Sequence, residues 1–406
     1  LLNCSYILKK HKKDFATLIT KEMGKLYGEA VSEVEKCVWL CEYYAETGED
    51  ALADFSDDSE ASKSYVCFRP LGVILGVMPW NFPFWQVFRF AIPAIFAGNA
   101  TLIKHSPNVP GCSIALEKLF RDAGVPPHVF RSLLIPTDLV EELIEHTSIQ
   151  GVALTGSVEA GKAVASIAAR NIKKSVLELG GNDPYIILAD VKNLEKVVDC
   201  CLKSRLTCNG QSCIAAKRII IIKEIRETFE KMLLDRMSQI NVGDPFDAGT
   251  ALGPLARADL RDKLHEQIGQ SVAEGASLKL GGEIPKGNGF FYPATVLSNV
   301  HEGVRAFEDE LFGPVAVITE ADDEHEAIRL ANASRFGLGA AIFTDDLSKG
   351  ERIARNELRA GTCSVNGIVK SDPRFPFGGI KESGFGRELS QFGIREFTNV
   401  KTVHIS

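Results

Sequence analysis

A chain of 406 residues is too long for one small core, suits two or three domains, and can enclose a cleft between them. Apolar residues at 45% and charged residues at 24% are the mix of a soluble globular protein and exclude a disordered or fibrous one. Lys plus Arg (46) falls short of Asp plus Glu (53), and the net charge of -7 contains no like-charge block, which argues against a nucleic-acid partner.

The chain opens at Leu1, without a methionine, inside an amphipathic helical pattern (Leu2, Tyr6, Leu8, Phe15, Leu18, Ile19). An N-terminal piece is expected to precede it, where any signal or transit peptide would stand. The cytoplasm is the default compartment, with an organellar matrix left open. Ten cysteines are scattered without a CxxC pair or Cys/His ligand spacing, so they read as reduced apolar side chains and not as staples or a metal site. Cys37 and Cys41, four apart on one helix, share a buried face. Leu71 to Ile103 is apolar enough to suggest a membrane span, but Pro79, Pro83, Pro93, Asn81 and Arg89 would put helix breaks and a charge at bilayer depth. A buried strand, a proline-framed turn and a buried helix explain the run better.

From Leu71 onward, apolar runs alternate with helical segments: Val73 to Met78, a helix beginning near Pro83, Thr101 to Lys104, a helix from Gly111, Val129 to Ile135, and Val152 to Thr155. That rhythm predicts βαβ units and a parallel sheet. A second set has strands at Tyr185 to Leu188, Arg218 to Ile222 and Val315 to Thr319, with helices at Leu194 to Leu206 and Ile225 to Ser238. Between the sets, Leu177 to Pro184 is rich in Gly, Asn and Pro and reads as an interdomain crossing, where ligand clefts form. No internal repeat or low-complexity tract is present.

Val152 to Ser157 is a strand running into a glycine turn at Gly156 and Ser157, followed by a helical segment from Val158 whose first amides suit a pyrophosphate. Gly156 to Lys162 also matches most of a P-loop, but Ala163 stands where magnesium needs Ser or Thr, so an ATPase is disfavoured. GxGxxG is absent, leaving the turn weak evidence by itself.

Asn209-Gly210-Gln211-Ser212-Cys213 places a cysteine just past a glycine turn, where partial exposure and backbone dipoles favour the thiolate; alone, it reads more often as structural. Glu178, 35 residues earlier in the crossing, can act as a base toward water or be a surface carboxylate. Asn81, in Pro79-Trp80-Asn81-Phe82-Pro83, can donate to an oxyanion or cap the following helix.

PWNFP, LTGSVEAGK, LELGG, NGQSC, EDELFGPV and PFGGIKESGFGRE, in this order over essentially the whole chain, resemble the aldehyde dehydrogenase superfamily. LKSRLTCNGQSCIAAKR, ALGPLARADLRDKLHEQI and IKESGFGRELSQFGIREF are most similar to its bacterial succinate-semialdehyde dehydrogenase branch. The resemblance implies an α/β fold with a Rossmann-like cofactor domain (1–51 and 70–180), a catalytic domain (181–390) and an oligomerisation arm (52–69 and 391–406), assembled as a homodimer or homotetramer. It implies attack by Cys213, an oxyanion held by Asn81 and the Cys213 amide, and water activated by Glu178. Trp80, Gly156, Ser157 and Leu179 would line the cofactor, Lys104 reach the adenosine ribose, Glu310 hold the nicotinamide ribose, and Phe312 pack near its ring. A catalytically silent, crystallin-like relative is the alternative of another class.

Two departures qualify this. Pro107 stands where NAD-preferring members carry a glutamate that would repel a 2′-phosphate, which opens NADP use, but the resemblance to the branch implies NAD as the expected cofactor. Arg89, eight residues past Asn81, stands where the branch carries an arginine for the substrate carboxylate, or it forms an internal ion pair. A second arginine, often found just before the nucleophile, is missing: position 207 is Thr, and Arg205 lies two residues earlier. Other aliphatic or aromatic aldehydes are the competing substrates.

Overall fold

Strand β9 (Arg218–Ile222) is Arg followed by four isoleucines, and every residue of it is buried. Such a run, apolar on both faces, is what a strand covered on both sides by helices requires. The computed structural model describes residues 1–406 and sorts the strands into three sheets. In chain order the others are β1 (Phe55–Ser56), β2 (Lys63–Pro70), β3 (Val73–Met78), β4 (Ala100–His105), β5 (Phe130–Ser132), β6 (Ile149–Thr155), β7 (Lys174–Glu178), β8 (Pro184–Ile187), β10 (Ser277–Leu280), β11 (Thr295–Ser298), β12 (Val315–Ala321), β13 (Gly339–Phe343), β14 (Thr362–Val365), β15 (Gly384–Phe385) and β16 (Thr398–Ile405).

The first sheet has the order β15-β7-β6-β3-β4-β5 and is parallel except for β15. Chain connections leave β3 toward β4 on one side and reach β6 on the other, so strand order reverses between β3 and β6, the place where open α/β sheets hold ligands. The second sheet, β10-β11-β12-β9-β8-β13-β14, is parallel except for β10. The third, β1-β2-β16, is antiparallel, with β2 and β16 paired from Lys63 to Pro70. The apolar 71–103 region resolves into β3, the proline turn, a buried helix (Trp85–Phe96) and β4. No helix is long and apolar enough to cross a membrane.

Two expectations need correcting. Glu178 is not in a loop: it is the last residue of β7, opposite Thr155 in the neighbouring β6. Residues 181–390 do not all stay with the second sheet either, since β15 returns to pair with β7, Gly384 opposite Glu178. Strands β7, β13 and β14 lie outside the expected set, because KSVLE, GAAIF and TCSV, although flanked by Gly or Asn, are too short for periodicity to separate a strand from a buried helix.

Candidate active site

The carboxyl ends of β3, β4, β6 and β7 carry the Trp80-Asn81 turn, Lys104, the Gly156-Ser157 turn and Glu178, so the first sheet gathers these residues along one edge. The Asn81 turn is clamped by residues that no motif pointed to. Buried Glu33, on the Tyr27–Ala51 helix, accepts hydrogen bonds from the amides of Phe84 (2.8 Å) and Trp85 (3.0 Å), capping the helix that follows the turn. Its other oxygen pairs with buried Lys25 at 2.6 Å, and Lys25 sits 3.7 Å from the Phe82 ring centroid. His105 Nδ1 accepts from the Ser106 amide (2.9 Å), so Nε2 carries the proton and donates to the Pro83 carbonyl (2.9 Å). Burial lowers the His105 pKa to about 4, keeping the ring neutral.

The nucleophile turn is unusual backbone. Cys208, Asn209 and Gly210 all have positive φ, at 57°, 56° and 76°. Asn209, one of the few non-glycine types that tolerates this region, donates to the carbonyls of Gly24 and Pro254 (2.9 Å each) and accepts from the Gly253 amide (2.8 Å). At Gly210 a Cβ would lie 2.3 Å from the Gly313 carbonyl, so only glycine fits. Arg205 is fully buried and donates to the Gly210 carbonyl, which makes it a brace for this turn. Asn81 Nδ2 donates to the Gln211 carbonyl at 2.9 Å, joining the two turns. Lys217 Nζ donates to the carbonyls of Ser212 (2.9 Å) and Cys213 (2.7 Å).

Cys213 is half-buried and lines a cavity of about 500 Å³ together with Phe82, Trp85, Arg89, Lys36 and Phe377. Against the exposure and backbone dipoles that favour the thiolate, burial pushes the Cys213 pKa up to about 11, with Arg89 and Lys217 pulling the other way. Glu178 is 2% exposed, and neither carboxyl oxygen has a hydrogen-bond partner. Burial raises its pKa well above the carboxylate range, while Arg89 opposes and Glu388 reinforces that shift. Arg89 is thus the charge that bears on both the thiol and the carboxyl. Asn81 and Glu178 do not line the cavity themselves. Asn81 bonds the carbonyl of Gln211, two residues before Cys213, and the crossing that follows Glu178 packs on the nucleophile, since a Cβ on Gly181 would lie 2.7 Å from the Cys213 carbonyl.

Arg89 carries features of both readings given for it. It lines the cavity, but its guanidinium forms an ion pair with buried Glu388 and lies 4.6 Å from the Phe377 ring centroid. The internal carboxylate weighed as the alternative is therefore present, because so apolar a helix cannot hold the charge unpaired.

Along the cofactor edge, Trp80 and Phe312 meet edge to face, with ring centroids 5.9 Å apart. Lys104 has one polar partner, the Thr137 hydroxyl at 3.1 Å, and no carboxylate, so its ammonium is available to ribose or phosphate oxygens. Ser157 caps the Val158–Arg170 helix by accepting from the Ala160 amide (3.2 Å). Gly156 meets nothing closer than 3.6 Å, whereas Gly161 lets the same helix close on Leu179, which a Cβ would approach to 2.5 Å. Glu310 accepts from the Gly181 amide (3.2 Å) and lies 3.2 Å from Lys217. These residues fit a dinucleotide. They do not fit a P-loop, because Lys162 pairs with Glu382 at 3.0 Å on the outer face.

A parallel sheet whose switch point can take a dinucleotide, set against a second α/β sheet, is the frame of a nicotinamide-linked oxidoreductase. The chain belongs to the aldehyde dehydrogenase family, whose model matches residues 1–403. It is 46% identical over 400 residues to a probable succinate-semialdehyde dehydrogenase [NADP(+)] of Synechocystis sp., covering 98% of this chain and 88% of that one. A succinate semialdehyde dehydrogenase [NAD(P)+] of Escherichia coli is also 46% identical, over 98% of this chain and 85% of its own. The crystal structure of succinic semialdehyde dehydrogenase from Streptococcus pyogenes with NADP+ superposes with a TM-score of 0.97 at 34% identity, covering 99% and 88% of the two chains. The protein is an NAD(P)-dependent oxidoreductase acting on small aldehydes, and nothing supports the silent structural alternative.

Proposed function

We propose that the enzyme oxidises succinate semialdehyde to succinate through a thioester on Cys213. The observation that carries the chemistry is the Cys213 side chain opening into the cavity beside the Asn81 turn. The Cys213 thiol gives its proton to solvent in the cavity and its sulfur bonds to the aldehyde carbon as the carbonyl π pair moves onto oxygen, while the second Asn81 Nδ2 hydrogen and the Cys213 amide hold the oxyanion. The bound nicotinamide supplies a two-electron acceptor for the hydride that leaves this carbon. Collapse gives the thioester; Glu178 then takes a proton from water, the water oxygen bonds to the acyl carbon, and the carbon–sulfur bond breaks to return the thiolate. A raised pKa makes Glu178 a stronger base once ionised. Trp80, Lys104, Gly156, Ser157, Leu179, Glu310 and Phe312 are assigned to the cofactor.

NADP is the favoured cofactor: Pro107 offers no carboxylate against a 2′-phosphate, Lys104 has no acidic partner, and the relatives at 46% identity are named for NADP(+) or NAD(P)+. The exposed Phe55, Val400 and Ile405 on the β1-β2-β16 sheet support assembly into a homodimer or homotetramer, which light scattering after size exclusion tests. Ten free cysteines support a reducing compartment such as the cytoplasm.

The deciding experiment compares NADPH formation from succinate semialdehyde, butanal, hexanal and benzaldehyde. The expected outcome is a kcat/KM for succinate semialdehyde at least tenfold above the rest. Preference for a neutral aldehyde would overturn the substrate assignment and leave the family intact.

A further inference from the structure

We infer that Lys36 is the seat for the distal carboxylate of the substrate, which selects semialdehydes of dicarboxylic acids over neutral aldehydes; this rests on the oxidation at Cys213 proposed above. Lys36 lies on the Tyr27–Ala51 helix and lines the same cavity as Cys213. Its Nζ donates to Ser371 Oγ at 2.7 Å and stands 4.1 Å from the Trp85 ring centroid. Trp85 Nε1 donates to the same hydroxyl at 3.2 Å. No carboxylate pairs with this ammonium.

The neighbouring acids are committed elsewhere. Glu33 holds Lys25 and the two helix amides, Asp372 is 2.7 Å from Arg374, and Glu29 accepts from the Cys208 amide at 2.9 Å. The cavity's other enclosed cation, Arg89, is balanced by Glu388. An ammonium has three donors, and the serine hydroxyl takes one. A largely enclosed cation without a counter-ion is costly and is relieved by an anion arriving from the cavity. The charged and titratable groups around it are Arg89, Cys37, Glu33 and Asp372, and burial together with Arg89 lowers its pKa to about 8. Anion affinity should therefore fade as pH rises through that value.

Lys36→Met and Lys36→Arg test this against wild type, with succinate semialdehyde and butanal compared at saturating NADP+. In Lys36→Met the ratio of their kcat/KM values falls at least tenfold, mainly through KM for succinate semialdehyde, and Lys36→Arg restores most of it. In wild type, KM for succinate semialdehyde climbs above pH 8 while KM for butanal does not follow. A ratio that stays within twofold in Lys36→Met overturns the inference. Should that variant fail to fold, competitive inhibition of wild type by succinate decides: Ki rising above pH 8 supports the seat, and a flat Ki overturns it. A wild type with no preference for succinate semialdehyde over butanal defeats the substrate proposal itself, a result distinct from a preference that survives the loss of Lys36.

Discussion

The nucleophile turn and the phosphate turn face the same crossing and are built in opposite ways. Residues 208–213 hold consecutive left-handed residues and an asparagine with three side-chain hydrogen bonds, and buried Arg205 and Lys217 donate to their carbonyls. Residues 155–157 are an ordinary strand-to-helix passage in which Gly156 is uncrowded and Lys104, nearby, has a single hydroxyl partner. Covalent chemistry needs one atom fixed against strain, whereas a released cofactor needs groups left unsatisfied until it binds. Substitutions on the two sides should fail differently.

The largest effect is expected from Cys213→Ala. Aldehyde oxidation should fall by at least about 10³-fold, the scale of losing a covalent nucleophile. NADP+ affinity, measured by fluorescence quenching or calorimetry, should stay within threefold. Loss of cofactor binding in this variant would break the separation of the two turns.

Glu178→Gln comes next, with turnover reduced by about 10²- to 10⁴-fold, the usual weight of a general base. Rapid mixing should still give a burst of NADPH, because the acyl-enzyme forms and then waits for water. The variant should also be more stable. The folded-state pKa of Glu178 lies above its unfolded value of about 4.3, so the fold favours the proton, and that stabilisation is lost as pH rises from there toward the folded pKa. Glutamine does not titrate, and its thermal midpoint should exceed that of wild type increasingly above pH 5. A midpoint difference that ignores pH would contradict the buried, protonated state.

The same contrast explains what sequence could reveal. Cys213, Asn81 and Glu178 are legible because they sit in a run of motifs over the whole chain, and β3, β4, β6, β8 and β9 because each carries a short apolar stretch between helical segments. Lys25, Glu33, His105 and Lys36 are not. Glu33 and the amides it caps are about fifty positions apart, and a charged residue on a helix reads as solvent-facing until the packing is known. Arg89 was visible as a charge in an apolar helix, but Glu388, almost three hundred residues onward, was not. The resting states of thiol and carboxyl were equally hidden, since both follow from desolvation by distant chain.

Asn209→Ala probes the nucleophile side without touching the chemistry. It removes three hydrogen bonds at a buried site and puts alanine at φ 56°. The expected loss is about 3 kcal/mol, a sum of orphaned carbonyls and left-handed strain, seen as a lower thermal midpoint. Asn209→Gly keeps the conformation and should lose less; equal losses would mean the strain contributes nothing.

The smallest effect belongs to the open side. Pro107→Glu places a carboxylate three residues past Lys104, at an exposed position where it meets no packing constraint. By the resemblance, the 2′-phosphate of NADP+ would approach that carboxylate, and like charges at partly exposed separations cost on the order of 1 to 2 kcal/mol. The kcat/KM for NADP+ should fall about tenfold, with that for NAD+ unchanged or raised. Added salt should shrink the penalty, because exposed charges are screened. A loss of NAD+ and NADP+ together, indifferent to salt, would mean that residue 107 acts through the shape of the loop, and the NADP preference would then have to come from Lys104 alone.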